Sequence, residues 1–543
     1  MKLFFVLAAP ILAFALAAPS PVRAEAPPRP KLILSILVDQ FRYDYVERFH
    51  DLFGEDGLKM LTDHGSFLTF ARYNYYPTIT GPGHASFFSG APPSVHGIIA
   101  NDWFDKRTGK MVYCVGDPNV TSVGTESPAG RMSPRNFIGA NFSDMMRMHY
   151  QSKVIGISMK DRGAILPAGK KPAGAYWWEA ATGNFITSSY YRVELPDWVA
   201  QFNDRHRAKD FIGQTWDRLL DAKEYRWPAE ALGAQALSGE KTLGFPHTIN
   251  AAKDGFENIM PTPFGNQLLL EFAEAALDGE HLGEGPQPDV LSVSFSSIDY
   301  CGHRFGPYSQ EAQDIVLRFD RQLAELFHYV DKKIGLDNVA IVLTADHGVM
   351  PTPEFAAEQG MDGQRSDVIA VSGDLMQQLE TRFGPGRYLQ TPKIVEGNIY
   401  LNHELLKEKN LSVAEVVDFV REWALGTGRF QACYSRQQLL DGLAPGAIGE
   451  RVLNGYNAER SGDLVLIYKP YTISWAATGT THGSPYSYDT HIPVLFHGPW
   501  FKPGRYADEF YITDIVPTLC AVMHTDEPPG SIGKPFVKIL AKP

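Results

Sequence analysis

Short apolar segments that each run into an aspartate are the feature of this chain that limits its fold most. The segments are KLILSILV at 31–38, DVLSVSFSSI at 289–298 and VAIVLT at 339–344, and the aspartates at or just beyond their ends are Asp39, Asp299 and Asp346. A single aspartate in such a place is usually a turn or helix-capping residue. Three aspartates that each follow an apolar segment are not explained as turn or capping residues. Short apolar runs rich in branched residues are typical of strands buried in a parallel sheet, where ligands bind at the carboxyl ends of the strands.

A strand–helix rhythm continues along the chain. Further strands are predicted at 153–159 (KVIGISM), 463–468 and 492–496, and helices at 264–277, 310–334 and 413–425. We therefore predict an α/β fold around a central, mostly parallel sheet. Two stretches break the rhythm, at about 164–261, which contains an aromatic hairpin turned at 182–184, and at 364–440. We interpret both as cap insertions in a single catalytic domain that covers residues 25–543.

The composition is that of an ordinary globular protein. The chain has 543 residues, 44% of them hydrophobic and 21% charged, and a formal net charge of −12. A nucleic-acid partner would favour a basic face, so this charge argues against one. The four cysteines, Cys114, Cys301, Cys433 and Cys520, form no C-x-x-C pair, which argues against a thiolate zinc site. Disulfide pairing and buried free thiols both remain open readings.

The N-terminus has the pattern of a secretory signal peptide. Lys2 precedes an apolar run over residues 3–18, and Val22 and Ala24 supply small residues at cleavage-determining positions. This pattern predicts a signal peptide over residues 1–24, with an uncleaved anchor as the alternative. No later segment reaches 18 uninterrupted apolar residues. We therefore expect a periplasmic or secreted protein, cleaved near Ala24, without stable membrane association.

The segment YPTITGPGHAS at 76–86 is predicted to be a tight turn that opens into a helix. Pro82 suits a first helical position, and glycines at 81 and 83 allow a close approach of the backbone to a ligand. A helix N-terminus favours an anion, so Thr80 just before it is a candidate nucleophile toward a phosphate-like group. An ordinary capped Pro/Gly turn is the alternative reading.

Three further side chains are candidates for binding an anion. Asn101 offers a neutral amide donor, although alone it would be a turn residue. Lys160 and Arg162 follow the predicted strand at 153–159, and on extended chain they would point to the same side. Two cations at one strand end repel each other unless an anion lies between them; a solvated surface pair is the alternative.

Six acidic and imidazole side chains are expected at the carboxyl edge of the sheet: Asp39, Asp299, His303, Asp346, His347 and His482. Three carboxylates crowded together without a cation would be strongly unfavourable. Imidazole and carboxylate without thiolate suit zinc better than magnesium or calcium, and six ligands suffice for two metal ions. Two such ions can clamp the attacking and leaving oxygens of an in-line displacement.

These elements together resemble the alkaline phosphatase superfamily over nearly the whole mature chain. The elements, in this order, are strand-Asp39, Thr80-Gly-Pro-Gly-His84, Asp299-x-x-x-His303, Asp346-His347-Gly348 and His482-Gly483. The resemblance implies a three-layer sandwich with one zinc held by Asp299, His303 and His482. It implies a second zinc held by Asp39, Asp346 and His347, with Thr80 joining it as nucleophile.

Within the superfamily the chain looks like the monomeric, exported bacterial phosphatases of the phosphate-irrepressible type. In those enzymes a threonine, an asparagine and a Lys-x-Arg pair serve one phosphoryl group, and these positions match Thr80, Asn101, Lys160 and Arg162. The resemblance implies a monomer that hydrolyses small phosphate monoesters through a phosphothreonine, with minor activity on diesters. The chain shows no obvious magnesium site of the kind found in other alkaline phosphatases, and Lys160 is a candidate replacement.

Two rival functions remain open at this point. The related nucleotide pyrophosphatase/phosphodiesterases share the threonine and asparagine but lack the Lys-x-Arg pair. A phosphate monoester carries more charge on its free oxygens than a diester does, which is why Lys160 and Arg162 favour the monoesterase. The non-enzymatic alternative is a periplasmic phosphate-binding protein.

Overall fold

The structure is a computed structural model, and it describes residues 27–251, 255–474 and 477–541. The expected signal peptide at 1–24 lies outside these residues. Within them, no helix combines the length and the apolar character that crossing a membrane requires.

The strands are numbered along the chain. They are β1 Leu32–Val38, β2 Ser66–Arg72, β3 Asp102–Asp105, β4 Lys110–Tyr113, β5 Ser122–Val123, β6 Val154–Ser158, β7 Gly174–Glu179, β8 Asn184–Ser188, β9 Thr215–Trp216, β10 His247–Thr248, β11 Asp289–Phe295, β12 Val339–Ala345, β13 Gln364–Arg365, β14 Asn398–Ile399, β15 Phe430–Ser435, β16 Leu464–Tyr468, β17 Thr472–Ile473, β18 His491–His497, β19 Gly504–Tyr506 and β20 Phe510–Tyr511.

The α-helices are numbered in the same way. They are α1 Tyr43–Arg48, α2 Leu58–His64, α3 Thr80–Ser89, α4 Pro93–His96, α5 Phe142–Tyr150, α6 Asp161–Ala168, α7 Asp197–Asp204, α8 Arg207–Phe211, α9 Pro263–Gly279, α10 Ser297–Phe305, α11 Gln310–Ile334, α12 Pro353–Glu358, α13 Val368–Phe383, α14 His403–Glu408, α15 Val413–Gly426, α16 Arg436–Leu440, α17 Gly446–Gly455, α18 Ser487–Thr490 and α19 Ile515–Met523. Short 3-10 helices lie at His50–Leu52, Pro128–Gly130, Pro134–Asn136, Ala222–Glu224, Glu257–Ile259, Leu336–Asn338, Ile512–Asp514 and Val537–Ile539.

An 11-stranded sheet forms the centre of the fold. Its order is β19-β2-β18-β12-β1-β11-β6-β7-β8-β5, and β20 also pairs with β2. The five strands from β12 to β7 are mutually parallel, whereas β18 is antiparallel to both β12 and β2. Strands β1, β11 and β12 are buried at every position, which explains why their sequences are continuously apolar rather than alternating. The predicted α/β fold with a mostly parallel central sheet is confirmed.

Two groups of helices flank the sheet. One group consists of α3, α5, α6 and α19, which contact one another, and the other of α2, α9, α10 and α11. The amphipathic helix predicted at 310–334 is α11, with the predicted bounds. The helix predicted at 264–277 is α9, which extends one residue earlier and two residues further.

The two irregular stretches contribute strands to different sheets. The aromatic hairpin is β7–β8, turned at residues 180–183, and β7 pairs with β6 in the central sheet rather than standing in a separate cap. Strands β7 and β8 thus belong to the central sheet, although they lie in the stretch predicted to be a cap insertion from about residue 164. Likewise β16, predicted as a strand at 463–468, pairs with β14 and β15 in a small sheet of its own. Strands β14 and β15 lie within the stretch 364–440 that is predicted to be the second insertion, whereas β16 lies beyond its predicted end.

All four cysteines are buried and free. Burial raises the pKa of each of these thiols. Of the two readings left open by the sequence, buried free thiols is the one observed.

Candidate active site

The carboxyl ends of neighbouring strands bring the predicted site residues together. Asp39 follows β1, and the residues 346 and 347 follow β12, which lies next to β1 in the sheet. Asp299 lies in the first turn of α10, directly after β11, the other neighbour of β1. Lys160 follows β6, the neighbour of β11. The shared edge exists because these strands are parallel and in adjacent positions.

Asp39, Asp346 and His347 form the first group of possible metal ligands, called here the Asp39 group. One ligand atom from each lies within 4.8 Å of the others. His347 Nε2 is 3.4 Å from both Asp39 Oδ1 and Asp346 Oδ2. These two carboxylate oxygens are buried and make no hydrogen bond. Buried polar atoms are normally satisfied, so unpartnered oxygens aimed at one point are what a cation site requires.

Asp299, His347 and His482 form the second group, called here the Asp299 group, by the same 4.8 Å criterion. His482 Nε2 is 3.6 Å and His303 Nε2 is 3.2 Å from Asp299 Oδ1. His303 and Asp299 are four residues apart on α10, so the predicted helical spacing does bring them together. His347 belongs to both groups, whereas the expected ligand sets assigned it to one metal only. Its ring stacks on that of His482, with the ring centroids 3.4 Å apart.

Backbone carbonyls fix the orientation of all three imidazole rings. The Nδ1 atoms of His303, His347 and His482 lie 2.8, 2.9 and 3.0 Å from the carbonyl oxygens of Thr480, Gly348 and Thr78. A carbonyl accepts only, so each Nδ1 carries the proton when the ring is neutral. Each Nε2 then presents its lone pair to the site, which is the tautomer of a metal-binding histidine.

The electrostatics of the two groups also fit a cation. Burial raises the pKa of Asp39 well above its usual value, and the charges of Asp299 and Asp346 add to this. Burial raises the pKa of Asp346 to about 7. Burial lowers the pKa of His482 to about 3, with repulsion from His303 as the next cause. The Asp39 group thus combines carboxylates that resist ionisation with His347, whose pKa burial lowers, and a divalent cation would stabilise this donor set by displacing protons. In the Asp299 group, burial alone would raise the pKa of Asp299, but His303 and Lys160 lower it well below its usual value.

Thr80 lies at the start of α3, beside both groups. It is the first helical residue and Pro82 the third, whereas the sequence placed Pro82 first. The Thr80 Oγ1 atom is 3.5 Å from His347 Nε2. His84, one turn further along, has Nδ1 2.9 Å from the Thr80 carbonyl oxygen and Nε2 2.7 Å from Ser294 Oγ. His84 thereby anchors the first turn of α3 to β11, which holds the threonine hydroxyl in place.

Asn101 lies next to this helix N-terminus. Its side-chain oxygen accepts a 2.8 Å hydrogen bond from the Gly81 N–H. Because one end of the amide is held in this way, its NH₂ group is directed away from the backbone and is available as a donor.

Lys160 connects the two ligand groups. Its Nζ atom lies 2.6 Å from Asp39 Oδ2 and 2.5 Å from Asp299 Oδ2. Burial alone would lower the pKa of Lys160, but Asp299 and Asp39 raise it above the usual lysine value. Lys160 is therefore a buried ammonium between two carboxylates. This excludes the alternative that it belongs to a solvated pair on the surface.

Arg162 reaches the site from a helix rather than from extended chain. Helix α6 begins at Asp161, so Arg162 occupies its first turn, and the strand geometry expected for the Lys-x-Arg pair is wrong. Arg162 Nη1 donates a 3.0 Å hydrogen bond to the hydroxyl of Tyr113. That hydroxyl in turn donates to Asp161 Oδ1 at 2.5 Å. Tyr113 is at the end of β4, the hairpin partner of β3, and β3 begins directly after Asn101.

Sequence reasoning missed two residues of the site, Tyr113 and Gln40. Gln40 directly follows Asp39 and makes hydrogen bonds to both Asp299 and Asp346. The sequence could have indicated Gln40, because it is adjacent to Asp39. No sequence feature indicated Tyr113, because its contact with Arg162 depends on the β3–β4 hairpin.

A cavity of about 1380 Å³ opens above these groups. Thr80, Asn101, Lys160, Arg162, Asp299, His303 and His482 line its floor. Asp39, Asp346 and His347 are fully buried below it. Residues of the stretch predicted to be the second insertion, among them Ile369, Lys393 and Glu396, also line the cavity. The cavity is far larger than one phosphate, so the arrangement admits an anion at the floor with a substantial substituent above it.

Comparisons with known proteins agree with this geometry. The chain is 38% identical over 530 residues to alkaline phosphatase PafA of Elizabethkingia meningoseptica, covering 96% of each protein. It is 37% identical over 517 residues to alkaline phosphatase PhoV of Synechococcus elongatus, covering 94% of this chain and 93% of that protein. The crystal structure of wild-type PafA superposes with a TM-score of 0.91, over 95% of this chain and 99% of that one.

Residues 33–500 match the family described as type I phosphodiesterase / nucleotide pyrophosphatase. This match covers most of the chain, including every strand that contributes to the site. The chain therefore belongs to the type I phosphodiesterase / nucleotide pyrophosphatase family, within the alkaline phosphatase superfamily.

Proposed function

We propose that this chain is an alkaline phosphatase that hydrolyses small phosphate monoesters through a phosphothreonine at Thr80. It would use two zinc ions per chain, held by Asp39, Asp346 and His347 and by Asp299, His303 and His482, with Thr80 as an additional ligand. The observation that carries the proposal is the Thr80 hydroxyl, 3.5 Å from the one histidine that both ligand groups share. Carboxylate and neutral imidazole donors suit zinc. The PafA and PhoV relatives, both named alkaline phosphatases, also support it.

The charges around Thr80 favour a phosphoryl group with two negative charges. The Lys160 ammonium carries three protons, of which two are directed to Asp39 and Asp299, so the third remains for a substrate oxygen. The Arg162 guanidinium and the Asn101 amide supply further donors at the cavity floor. A diester has one fewer charged oxygen to receive them, so these residues support the monoesterase over the diesterase.

The proposed reaction is a double displacement. The Thr80 oxygen loses its proton and forms a bond to phosphorus while the bond to the leaving-group oxygen breaks, giving phosphothreonine and an alcohol. A water then attacks phosphorus, the bond to Thr80 breaks, and the threonine oxygen regains a proton as inorganic phosphate departs. Asn101, Lys160 and Arg162 hold the three remaining phosphoryl oxygens through both steps. Bound zinc ions would supply the positive charge that favours the threonine alkoxide and the leaving alkoxide.

Replacing the nucleophile tests this proposal directly. Thr80→Ala is expected to remove nearly all turnover of p-nitrophenyl phosphate, whereas Thr80→Ser, which retains a hydroxyl, should keep a substantial part. Metal analysis of the purified variants should find zinc in both. Full activity of Thr80→Ala would exclude the phosphothreonine route. Stoichiometric phosphate binding by the wild-type protein without turnover would instead support a binding protein.

Phosphodiester hydrolysis is the second candidate, supported by the size of the cavity and by the family description. We expect it as a minor activity, because the same two ligand groups would serve either ester. Rates on p-nitrophenyl phosphate and bis-p-nitrophenyl phosphate, measured on one preparation, distinguish the two. A faster diester reaction would make the chain a phosphodiesterase.

The protein is further proposed to be exported as a monomer after cleavage near Ala24. The apolar run with small residues at the cleavage positions supports this. N-terminal sequencing of the mature protein and its mass in solution are the corresponding measurements. A mature protein that starts at residue 1 would contradict cleavage.

A further inference from the structure

Gln40 touches both ligand groups although it belongs to neither. Its backbone N–H donates to Asp346 Oδ1 at 3.1 Å, and its side-chain Nε2 donates to Asp299 Oδ1 at 2.7 Å. The residue is completely buried. One residue therefore makes a contact to a carboxylate of the Asp39 group and to a carboxylate of the Asp299 group.

The backbone of Gln40 is in a conformation that glycine would adopt more easily. Its φ is +63°, in the left-handed region that non-glycine residues rarely occupy. If only the turn after β1 mattered, glycine would satisfy it without strain. A glutamine in this place indicates that its side chain is used.

The helix that carries Asp299 provides the space for this side chain. A Cβ atom added at Gly302 would lie 1.8 Å from Gln40 Oε1. Gly302 is in the interior of α10, between Asp299 and His303, where glycine is an unfavourable helix residue. Gln40 therefore has an unfavourable backbone conformation, and Gly302 is an unfavourable residue inside a helix. Both features allow the contact between Gln40 and Asp299.

We propose that Gln40 is a positioning residue that fixes the Asp299 carboxylate relative to the Asp39 group and so maintains the two proposed zinc sites at a set separation. This inference rests on the proposed function. Lys160 holds Asp299 Oδ2 and Gln40 holds Asp299 Oδ1, so the carboxylate cannot rotate while both contacts persist. Without the amide, the carboxylate keeps a single anchor and its Oδ1 atom is no longer directed toward His303 and His482. Hydrogen-bond partners of metal ligands commonly change metal affinity about 10–100-fold when they are removed.

Removing the amide while keeping the size of the side chain isolates this role. Gln40→Met leaves the backbone bond to Asp346 and the same backbone strain, and removes the bond to Asp299. We expect one of the two zinc ions to be released about 10–100-fold faster to a chelator, with the other released at close to the wild-type rate. Zinc release is followed with a chromogenic chelator and total zinc is measured by mass spectrometry.

Gly302→Ala provides an independent approach to the same contact. The added methyl group displaces the Gln40 amide, so the variant should release zinc as Gln40→Met does, and the double variant should be no worse than either single variant. Gly373→Ala is the matched control, because Gly373 is also inside a helix, α13, and an added Cβ there meets nothing within 4 Å. It should release zinc at the wild-type rate.

The outcomes separate the inference from the function on which it rests. Wild-type protein that takes up no zinc would overturn the proposed function and this inference with it. Wild-type protein that holds zinc, with Gln40→Met releasing it at the wild-type rate, would overturn the inference alone. Equal acceleration for both zinc ions would also overturn it. A merely structural role would lower the unfolding temperature of the zinc-free protein and leave the release rates unchanged.

Discussion

The phenol oxygen of Tyr113 accepts a 3.0 Å hydrogen bond from Nη1 of Arg162. Because the same hydroxyl donates to Asp161 Oδ1, it connects the guanidinium to the first turn of α6. Cys114, the next residue, donates its N–H to the carbonyl of Asn101. The open end of the β3–β4 hairpin, where Asp102 pairs with Tyr113, therefore contacts both Arg162 and Asn101, two of the proposed phosphate contacts.

Tyr113→Phe tests this connection. The ring remains and the hydroxyl is lost, so Arg162 loses its anchor while the hairpin keeps its packing. We expect kcat/KM for p-nitrophenyl phosphate to fall about tenfold, as for the loss of one aligned hydrogen bond. Combination with Arg162→Ala should add little to the effect of Arg162→Ala alone, because Tyr113 acts through Arg162.

Tyr329→Phe is the matched control for that experiment. Tyr329 also donates to an aspartate, Asp278 at 2.6 Å, on the surface where α9 and α11 meet. The Tyr329→Phe variant should leave kcat/KM for p-nitrophenyl phosphate unchanged. Fully additive losses in the Tyr113→Phe, Arg162→Ala pair would show that Tyr113 does not act through the guanidinium.

Arg162→Ala should affect the two ester classes differently. The guanidinium neutralises charge on free phosphoryl oxygens, so its loss should cost about 10²–10³ in the rate with monoesters. The loss with diesters should be clearly smaller, since a second substituent replaces one of these oxygens. Parallel kinetics on p-nitrophenyl phosphate and bis-p-nitrophenyl phosphate provide the comparison, and equal losses on both would contradict the assigned role.

Gly83→Ala should disturb the nucleophile without touching it. A Cβ atom at Gly83 would lie 2.5 Å from the backbone oxygen and 2.7 Å from the Cβ atom of Asp346, neither of which can move freely. Helix α3 must therefore move away from the Asp39 group. We expect a loss of about 1–3 kcal/mol in the free energy of unfolding together with a large loss of activity. Denaturant unfolding and steady-state kinetics measure the two effects, and wild-type values for both would refute the close contact.

Glu274→Gln should alter the pH dependence of stability away from the site. Burial raises the pKa of Glu274 from 4.5 to about 7, and the charges of Glu325, Glu271 and Asp278 add to this, while Arg205 opposes it. Between these pH values the folded protein keeps a proton that the unfolded chain has released. Stability therefore falls as the pH rises from 4.5 to 7, and the penalty is complete above pH 7.

The variant removes this penalty, so it should be more stable than wild type at pH 8 and equal to it near pH 4. Because Glu274 is only half-buried, solvent screens the charges and the gain at pH 8 should be less than about 1 kcal/mol. Denaturant unfolding at both pH values measures the difference. An equal gain at both would attribute it to packing rather than to charge.

The parts of the fold that follow a local pattern could be predicted from the sequence. The apolar strands β1, β11 and β12 each have the predicted core, because burial on both faces leaves a continuous hydrophobic run. Asp299 and His303 meet because helical spacing brings residues four apart to one side. These features need only neighbouring residues to be recognised.

The parts that depend on distant contacts could not be predicted. The aromatic residues of β7 favour a cap insertion when only the sequence is considered. An aromatic segment alone does not show that its strand pairs with β6 in the central sheet. Gln40 has a left-handed backbone, and its hydrogen-bond partners Asp299 and Asp346 lie more than 250 residues away in the chain. The position of His347 in both ligand groups likewise depends on the loop after β12 and on His482 in another loop.

The ligand groups draw on chain positions from Asp39 to His482, and neither group is complete without His347. Few of these partners can be close to one another while the chain is still being extended or is partly collapsed. Tight uptake of metal would then begin only when the last loops have docked, so it would mark the end of folding rather than initiate it. A chain truncated before residue 482 would lack the final donor of the Asp299 group, and zinc retention would report on whether the polypeptide is full length and correctly folded.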